Sequence, residues 1–181
     1  MRNMDWILEN VAVGSWHAVN QSGLKSKRVG AILNVRSDEN EVWIKEANEQ
    51  EEEYCSSHGI GYCHVPLEDF TAATDDEFAS GIAFIERNVR LGRKVLVHCG
   101  AGKGRSPSFV AVYLLFKRLA PDTATAIALI REKRPECFEG DDKIHISRIR
   151  EFEKMLPEKL AQIEYMIESF TSNLPAEKHH D

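Results

Sequence analysis

An apolar run, Val95-Leu96-Val97, leads directly into His98-Cys99-Gly100-Ala101-Gly102-Lys103-Gly104-Arg105, and Ser106-Pro107 opens a second apolar run from Phe109 to Phe116. The first run is short and β-branched, as strands are; the second is long enough for a helix. Pro107 fits the first turn of that helix, where it costs no hydrogen bond and pre-sets φ. The glycines at 100, 102 and 104 therefore fall on a strand-to-helix turn and permit a tight backbone there. Such a turn gathers main-chain N–H groups at a helix N-terminus, where anions bind. A thiolate beneath them is stabilised as well, so one geometry both holds a phosphate and activates a nucleophile.

The rest of the chain extends this pattern. Val11-Ala12-Val13, Ala31 to Val35 and Tyr62 to Val65 read as strands, with Val95 to His98 as the fourth. Helical character fills 41–58, 75–91, 106–119, 123–134 and 144–172. Alternation of this kind predicts an α/β fold with a mixed, mostly parallel sheet of about four to five strands. The strand reaching Cys99 belongs at its centre, and ligands gather at the C-terminal ends of such strands. Pro135 ends the fourth helix, and Pro157 predicts a break or kink in the last. That last segment (Leu160, Ile163, Met166, Ile167, Phe170) reads as a packing helix, with partner docking as the alternative. One catalytic domain over 1–172 and a polar tail over 173–181 follow.

Composition narrows the partners. A net charge of −6 argues against a nucleic-acid binder or an anionic-membrane binder. No run approaches the roughly 20 apolar residues of a membrane span, and the N-terminus lacks an apolar signal core. The four cysteines, at 55, 63, 99 and 137, have neither disulfide-scaffold density nor zinc spacing. A reducing, cytoplasmic location is expected, with access to the nucleus left open.

Each loop residue has a chemical reason to be where it is. Cys99 is the candidate nucleophile. Arg105 offers a planar fork of donors to two phosphoryl oxygens. Ser106 is placed to hydrogen-bond the thiolate, and His98 to fix the loop as a buried hydrogen-bonding group. A nucleotide P-loop is excluded, because Lys103 is followed by Gly104-Arg105 rather than Ser or Thr.

His98 to Ser106 matches the HCxxGxxR(S/T) signature, and the chain resembles the protein tyrosine phosphatase superfamily, in particular its small, atypical dual-specificity class. The likeness covers about residues 6–155, including Ile7-Leu8-Glu9-Asn10-Val11-Ala12-Val13-Gly14-Ser15, Leu33-Asn34-Val35 and the Phe78…Phe84-Ile85 segment. It implies helices on both sides of the sheet, a cysteinyl-phosphate intermediate, and no metal or other cofactor. The chain is short for a classical tyrosine-specific domain and lacks a tyrosine-bearing recognition loop. The resemblance therefore implies a shallow pocket open to phosphoserine, phosphothreonine and phosphotyrosine. The family's general acid lies roughly 30 residues before the cysteine, on a loop that here reads Pro66-Leu67-Glu68-Asp69-Phe70. Asp69 is the candidate, Glu68 its backup; Asp75 and Asp76 read as caps of the next helix.

The substrate phosphate loop (Gly100, Ala101, Gly102, Lys103, Gly104, Arg105) also resembles that of phosphoinositide 3-phosphatases. Those carry a second lysine after the cysteine, where this chain has Gly100. A phosphorylated protein is therefore the expected substrate, and a phosphoinositide, inositol phosphate or other small phosphate ester the alternative. A pseudophosphatase that only captures phosphorylated partners is disfavoured because Cys99 and Arg105 are both present; a rhodanese-like sulfur transferase is disfavoured by the loop itself. The acidic runs Asp38-Glu39-Asn40-Glu41 and Glu49 to Glu53 read as solvated helix faces. Cys55, Cys63 and Cys137 read as small apolar groups rather than redox partners. Arg131, Lys133 and Arg134 read as complements to a helix dipole, or else as a second phosphate site.

Overall fold

Alternation along three neighbouring strands sets the layering. The computed structural model describes residues 3–19, 21–38, 42–140 and 143–171. Its sheet has the order β1-β2-β5-β3-β4, built from β1 (Met4–Trp6), β2 (Val11–Ser15), β3 (Val29–Asn34), β4 (Gly61–His64) and β5 (Lys94–Cys99). Only β1 runs antiparallel to its neighbour. Val11, Val13, Ala31, Leu33, Val95 and Val97 face one core, while Ala12, Ile32 and Leu96 face the other, as the period of two requires. A strand covered on both faces is apolar throughout, which is why the run before Cys99 was so legible.

The larger core lies under α3 (Asp75–Arg90), α4 (Arg105–Phe116), α5 (Thr123–Lys133) and α6 (Lys143–Thr171). Phe78 sets its ring edge-on to Phe109 and to Phe152, each at 5.1 Å. The smaller core lies under α1 (Gln21–Ser26) and α2 (Val42–Ser57), where Leu24 and Cys55 are buried. α4 is buried from Arg105 to Leu115, as its all-round apolar sequence predicts for a central helix. The α/β fold with helices on both sides of a mostly parallel sheet is thus as expected.

Three expectations need correction. α3 is capped by Thr74 through a capping box with Glu77; Asp75 and Asp76 sit in the first turn and pair instead with Arg148 and Lys159 of α6. Of the break or kink expected at Pro157, the break is absent, for α6 runs from Lys143 to Thr171 through it. Ile149 and Phe152 before it, and Ile163 and Ile167 after it, are buried in the same core and hold both halves in one helix. β1 and α1 were not foreseen, being too short to show a period of their own. Cys55 and Cys137 are fully buried and Cys63 partly so. Glu39, Asn40 and Glu41, and the tail over 173–181, lie outside the described residues. No helix among the described residues is long and apolar enough to cross a membrane.

Candidate active site

β5 ends at Cys99 and α4 begins at Arg105, and every carbonyl between them is drawn outward. Gly100 O accepts from the Trp16 N–H at 3.1 Å and Lys103 O from the Phe138 N–H at 2.8 Å. Arg134 donates Nε to Gly102 O at 3.0 Å and Nη2 to Ala101 O at 3.4 Å. The Ser108 hydroxyl donates to Gly104 O at 2.7 Å. With five carbonyls held outside, the loop's N–H groups are left to the concave side, an anion cradle at the N-terminus of α4. The Gly102 N–H donates to Cys99 Sγ at 3.3 Å. Ser106 Oγ lies 3.4 Å from that sulfur and 3.3 Å from Gly14 O. Gly102 has φ +74°, and a Cβ there would stand 2.6 Å from Gly14 O, so no side chain fits.

Arg105 is buried, donates Nη1 to Leu67 O at 2.7 Å, and pairs through Nη2 with Asp69 Oδ1. Buried Val65 and Leu67 anchor the segment that carries Asp69, while Asp69 itself is exposed. Phe70, next in the chain, takes a left-handed φ of 63° and is 85% exposed. For a bulky aromatic that conformation is strained, and it ends the segment at the cleft's edge. Asp69, Cys99 and Arg105 all line one open cleft of about 620 Å³. Lys103, paired with Glu139 at 2.9 Å, and Lys143 and the buried His145 of α6 also line it. Glu68 is exposed and lies outside this lining, and Asp75 and Asp76 are engaged with α6.

Behind the loop, His98 is fully buried with Nε2 2.7 Å from Glu51 Oε1. Glu51 is also buried and lies 3.9 Å from Arg36 Nη2. Arg36 donates Nε to Asn48 Oδ1 at 2.8 Å, and Asn34 donates Nδ2 to the same oxygen at 2.9 Å. Burial lowers the pKa of Arg36, and Glu51 opposes the shift. Glu51 therefore does not belong to a solvated face. The missed signal was helical spacing: Asn48, Glu51 and Cys55 share the buried side of α2.

Arg134 corrects the reading of the basic cluster. It is fully buried under the phosphate loop and pairs through Nη1 with Asp5 Oδ2 at 2.8 Å. It serves neither a helix dipole nor a second phosphate site, because its guanidinium is spent on loop carbonyls and on β1. Arg131 donates to the carbonyls of Cys137 and Phe138, and Lys133 pairs with Glu132 at the surface.

Residues 11–155 match the family model described as the dual specificity phosphatase catalytic domain. A probable dual specificity protein phosphatase of Dictyostelium discoideum is 29% identical over 132 residues, covering 71% of this chain and 55% of that protein. The phosphatidylglycerophosphate phosphatase PTPMT1 of Arabidopsis thaliana is 33% identical over 87 residues, covering 45% of this chain and 23% of that protein. Among solved structures, Tk-PTP in its active form superposes with a TM-score of 0.67 at 24% identity, covering 84% of this chain and 97% of that one. The chain thus spans little more than half the length of the first of these relatives and about a quarter of the second.

Proposed function

This chain belongs to the dual specificity phosphatase family, and we propose that it is a cysteine-dependent phosphatase of phosphorylated proteins. The observation that carries the reading is the five outward carbonyls, which leave Cys99 Sγ beneath a ring of N–H donors beside Arg105 and Asp69.

In the proposed cycle the substrate phosphate enters the cradle and takes over the Arg105 fork from Asp69. The Cys99 thiolate attacks phosphorus while the P–O bond to the leaving group breaks. Asp69, protonated, gives its proton to the departing oxygen. Water then attacks the cysteinyl phosphate, Asp69 takes up the water's proton, and the S–P bond breaks to release phosphate. Ser106 Oγ, at hydrogen-bond distance from the sulfur, stabilises the returning thiolate. Arg105 and the N–H groups meet charge as it redistributes over the equatorial oxygens.

A protein substrate is favoured by the open cleft, the net charge of −6, and Gly100 in place of a second loop lysine. A specific observation favours the second reading, a phosphoinositide or another small phosphate ester: Lys103, Lys143 and the buried His145 all line the cleft. A panel of phosphopeptides, phosphoinositides and soluble inositol phosphates, run with Lys103→Ala beside the parent, separates them. Higher kcat/KM on phosphopeptides supports the first reading. A lipid or inositol preference that falls with Lys103→Ala supports the second.

A further inference from the structure

A second cleft, of about 730 Å³, opens beside the phosphate loop on the α2 side of the sheet. Trp16, Arg36, Ala47, Gln50, Glu51 and Tyr54 are among its lining residues. It adjoins the catalytic loop, since the Trp16 N–H holds Gly100 O and the preceding Ser15 is in register with Cys99 on the next strand. Adjacent strands lie about 4.8 Å apart, so a peptide seated at Cys99 reaches this cleft within two or three residues.

Its lining is aromatic and polar. Trp16 is 40% exposed, and Trp43, one helical turn before Ala47, is 50% exposed with its ring centroid 6.2 Å from that of Trp16. Tyr54 Oη is buried yet has no hydrogen-bond partner among the described residues. Arg36 commits Nε and Nη2 to Asn48, which leaves Nη1 unpaired among those residues. The Arg36 charge is met by Glu51, so the floor does not select a second phosphate. Trp16, stacked on the Arg36 guanidinium at 5.9 Å and flanked by Trp43 just outside the lining, shares the cleft with the Tyr54 hydroxyl, which suits an aromatic side chain with its neighbouring backbone carbonyls as acceptors.

We propose that this cleft is a substrate subsite that receives an aromatic side chain lying within three residues of the phosphorylated residue in a protein substrate. The proposal rests on the phosphoprotein reading above and adds a sequence preference to it. Phosphopeptide pairs differing only by Phe or Ala at each of the three positions on either side give the readout, the kcat/KM ratio. The expected ratio is about tenfold at one position, the order of burying one aromatic side chain at an interface. Trp16→Ala, which removes one wall, and Ala47→Phe, which fills the cleft from α2, should each bring the ratio close to one. Thermal melting is recorded for both variants, and either one that stays folded decides the outcome.

Turnover of the peptides with no aromatic preference, or a preference that survives both substitutions, overturns the subsite alone. Turnover of aryl phosphate and inositol phosphates but of no phosphopeptide overturns the phosphoprotein reading, and the subsite with it. A Trp16→Ala effect confined to phospholipid vesicles overturns the peptide assignment in favour of a membrane.

Discussion

The buried Glu51 carboxylate accepts the Nε2–H of His98 at 2.7 Å, so the residue before the nucleophile is fixed by a helix on the face of the sheet opposite α4. Glu51→Gln keeps the shape and can keep the hydrogen bond but removes the charge that also faces Arg36. The expected result is a fall of about tenfold in kcat/KM on an aryl phosphate, the order of one charge-assisted hydrogen bond. Glu51→Ala leaves both His98 and Arg36 without their carboxylate, and should cost roughly 3 kcal/mol of stability. Steady-state kinetics and urea unfolding measure the two effects separately.

Arg134 ties the loop to β1. Arg134→Met frees the Ala101 and Gly102 carbonyls and removes the buried ion pair with Asp5, so stability should fall by roughly 3 kcal/mol. Inhibition by inorganic phosphate should weaken about tenfold as the cradle loosens. Arg134→Lys can still meet Asp5 but lacks the fork, so it should recover stability more than phosphate affinity. Thermal melting and phosphate inhibition constants provide the comparison.

Gly102 allows the closest backbone approach in the site. Gly102→Ala places a Cβ at 2.6 Å from Gly14 O in a left-handed conformation. Both the strain and the clash require the loop to move, at about 1–3 kcal/mol. Turnover of an aryl phosphate should fall at least about a hundredfold, because the Gly102 N–H moves off Cys99 Sγ. Activity close to that of the parent would show that the loop conformation is not required.

Buried thiols, with the Tyr62 and Tyr113 hydroxyls that burial also pushes up, limit stability at alkaline pH. Burial pushes Cys55 and Cys137 up from the ordinary 9.0 to about 12. The unfolded chain therefore releases these protons first, so stability is intact below pH 9 and declines from there toward pH 12. Cys55→Ala should flatten that decline in urea midpoints taken from pH 8 to 11. At the acid end burial would raise Glu86, but hydrogen bonds from Lys117, Arg90 and Tyr113 outweigh it and hold it below 4.5. Its contribution is present above that value and is lost as pH falls through and below it.

The residues that sequence made legible are those whose meaning is local. The apolar strand into Cys99, the glycines, and Arg105 at the helix start occupy consecutive positions, so one stretch of chain specifies strand, turn and helix. Asp69 was reached through family spacing rather than through its neighbours. Glu51 and Arg134 were misread because their partners are remote: His98 lies 47 positions from Glu51, and Asp5 lies 129 from Arg134. Charge runs report the average face of a helix, whereas one inward carboxylate is decided by the layer packed against it. Asp5 was missed with β1, whose three residues carry no periodicity.

The central claim is that Cys99 carries the phosphoryl group and Asp69 serves its transfer. Acid-quenched mass spectrometry of the parent, Cys99→Ser and Asp69→Asn during turnover of an aryl phosphate tests it most directly. The account predicts a phosphoryl adduct on the peptide containing Cys99, accumulation of that adduct in Asp69→Asn as hydrolysis slows, and neither adduct nor turnover in Cys99→Ser. Turnover by Cys99→Ser at the rate of the parent, or a phosphoryl group found on another residue, would contradict it.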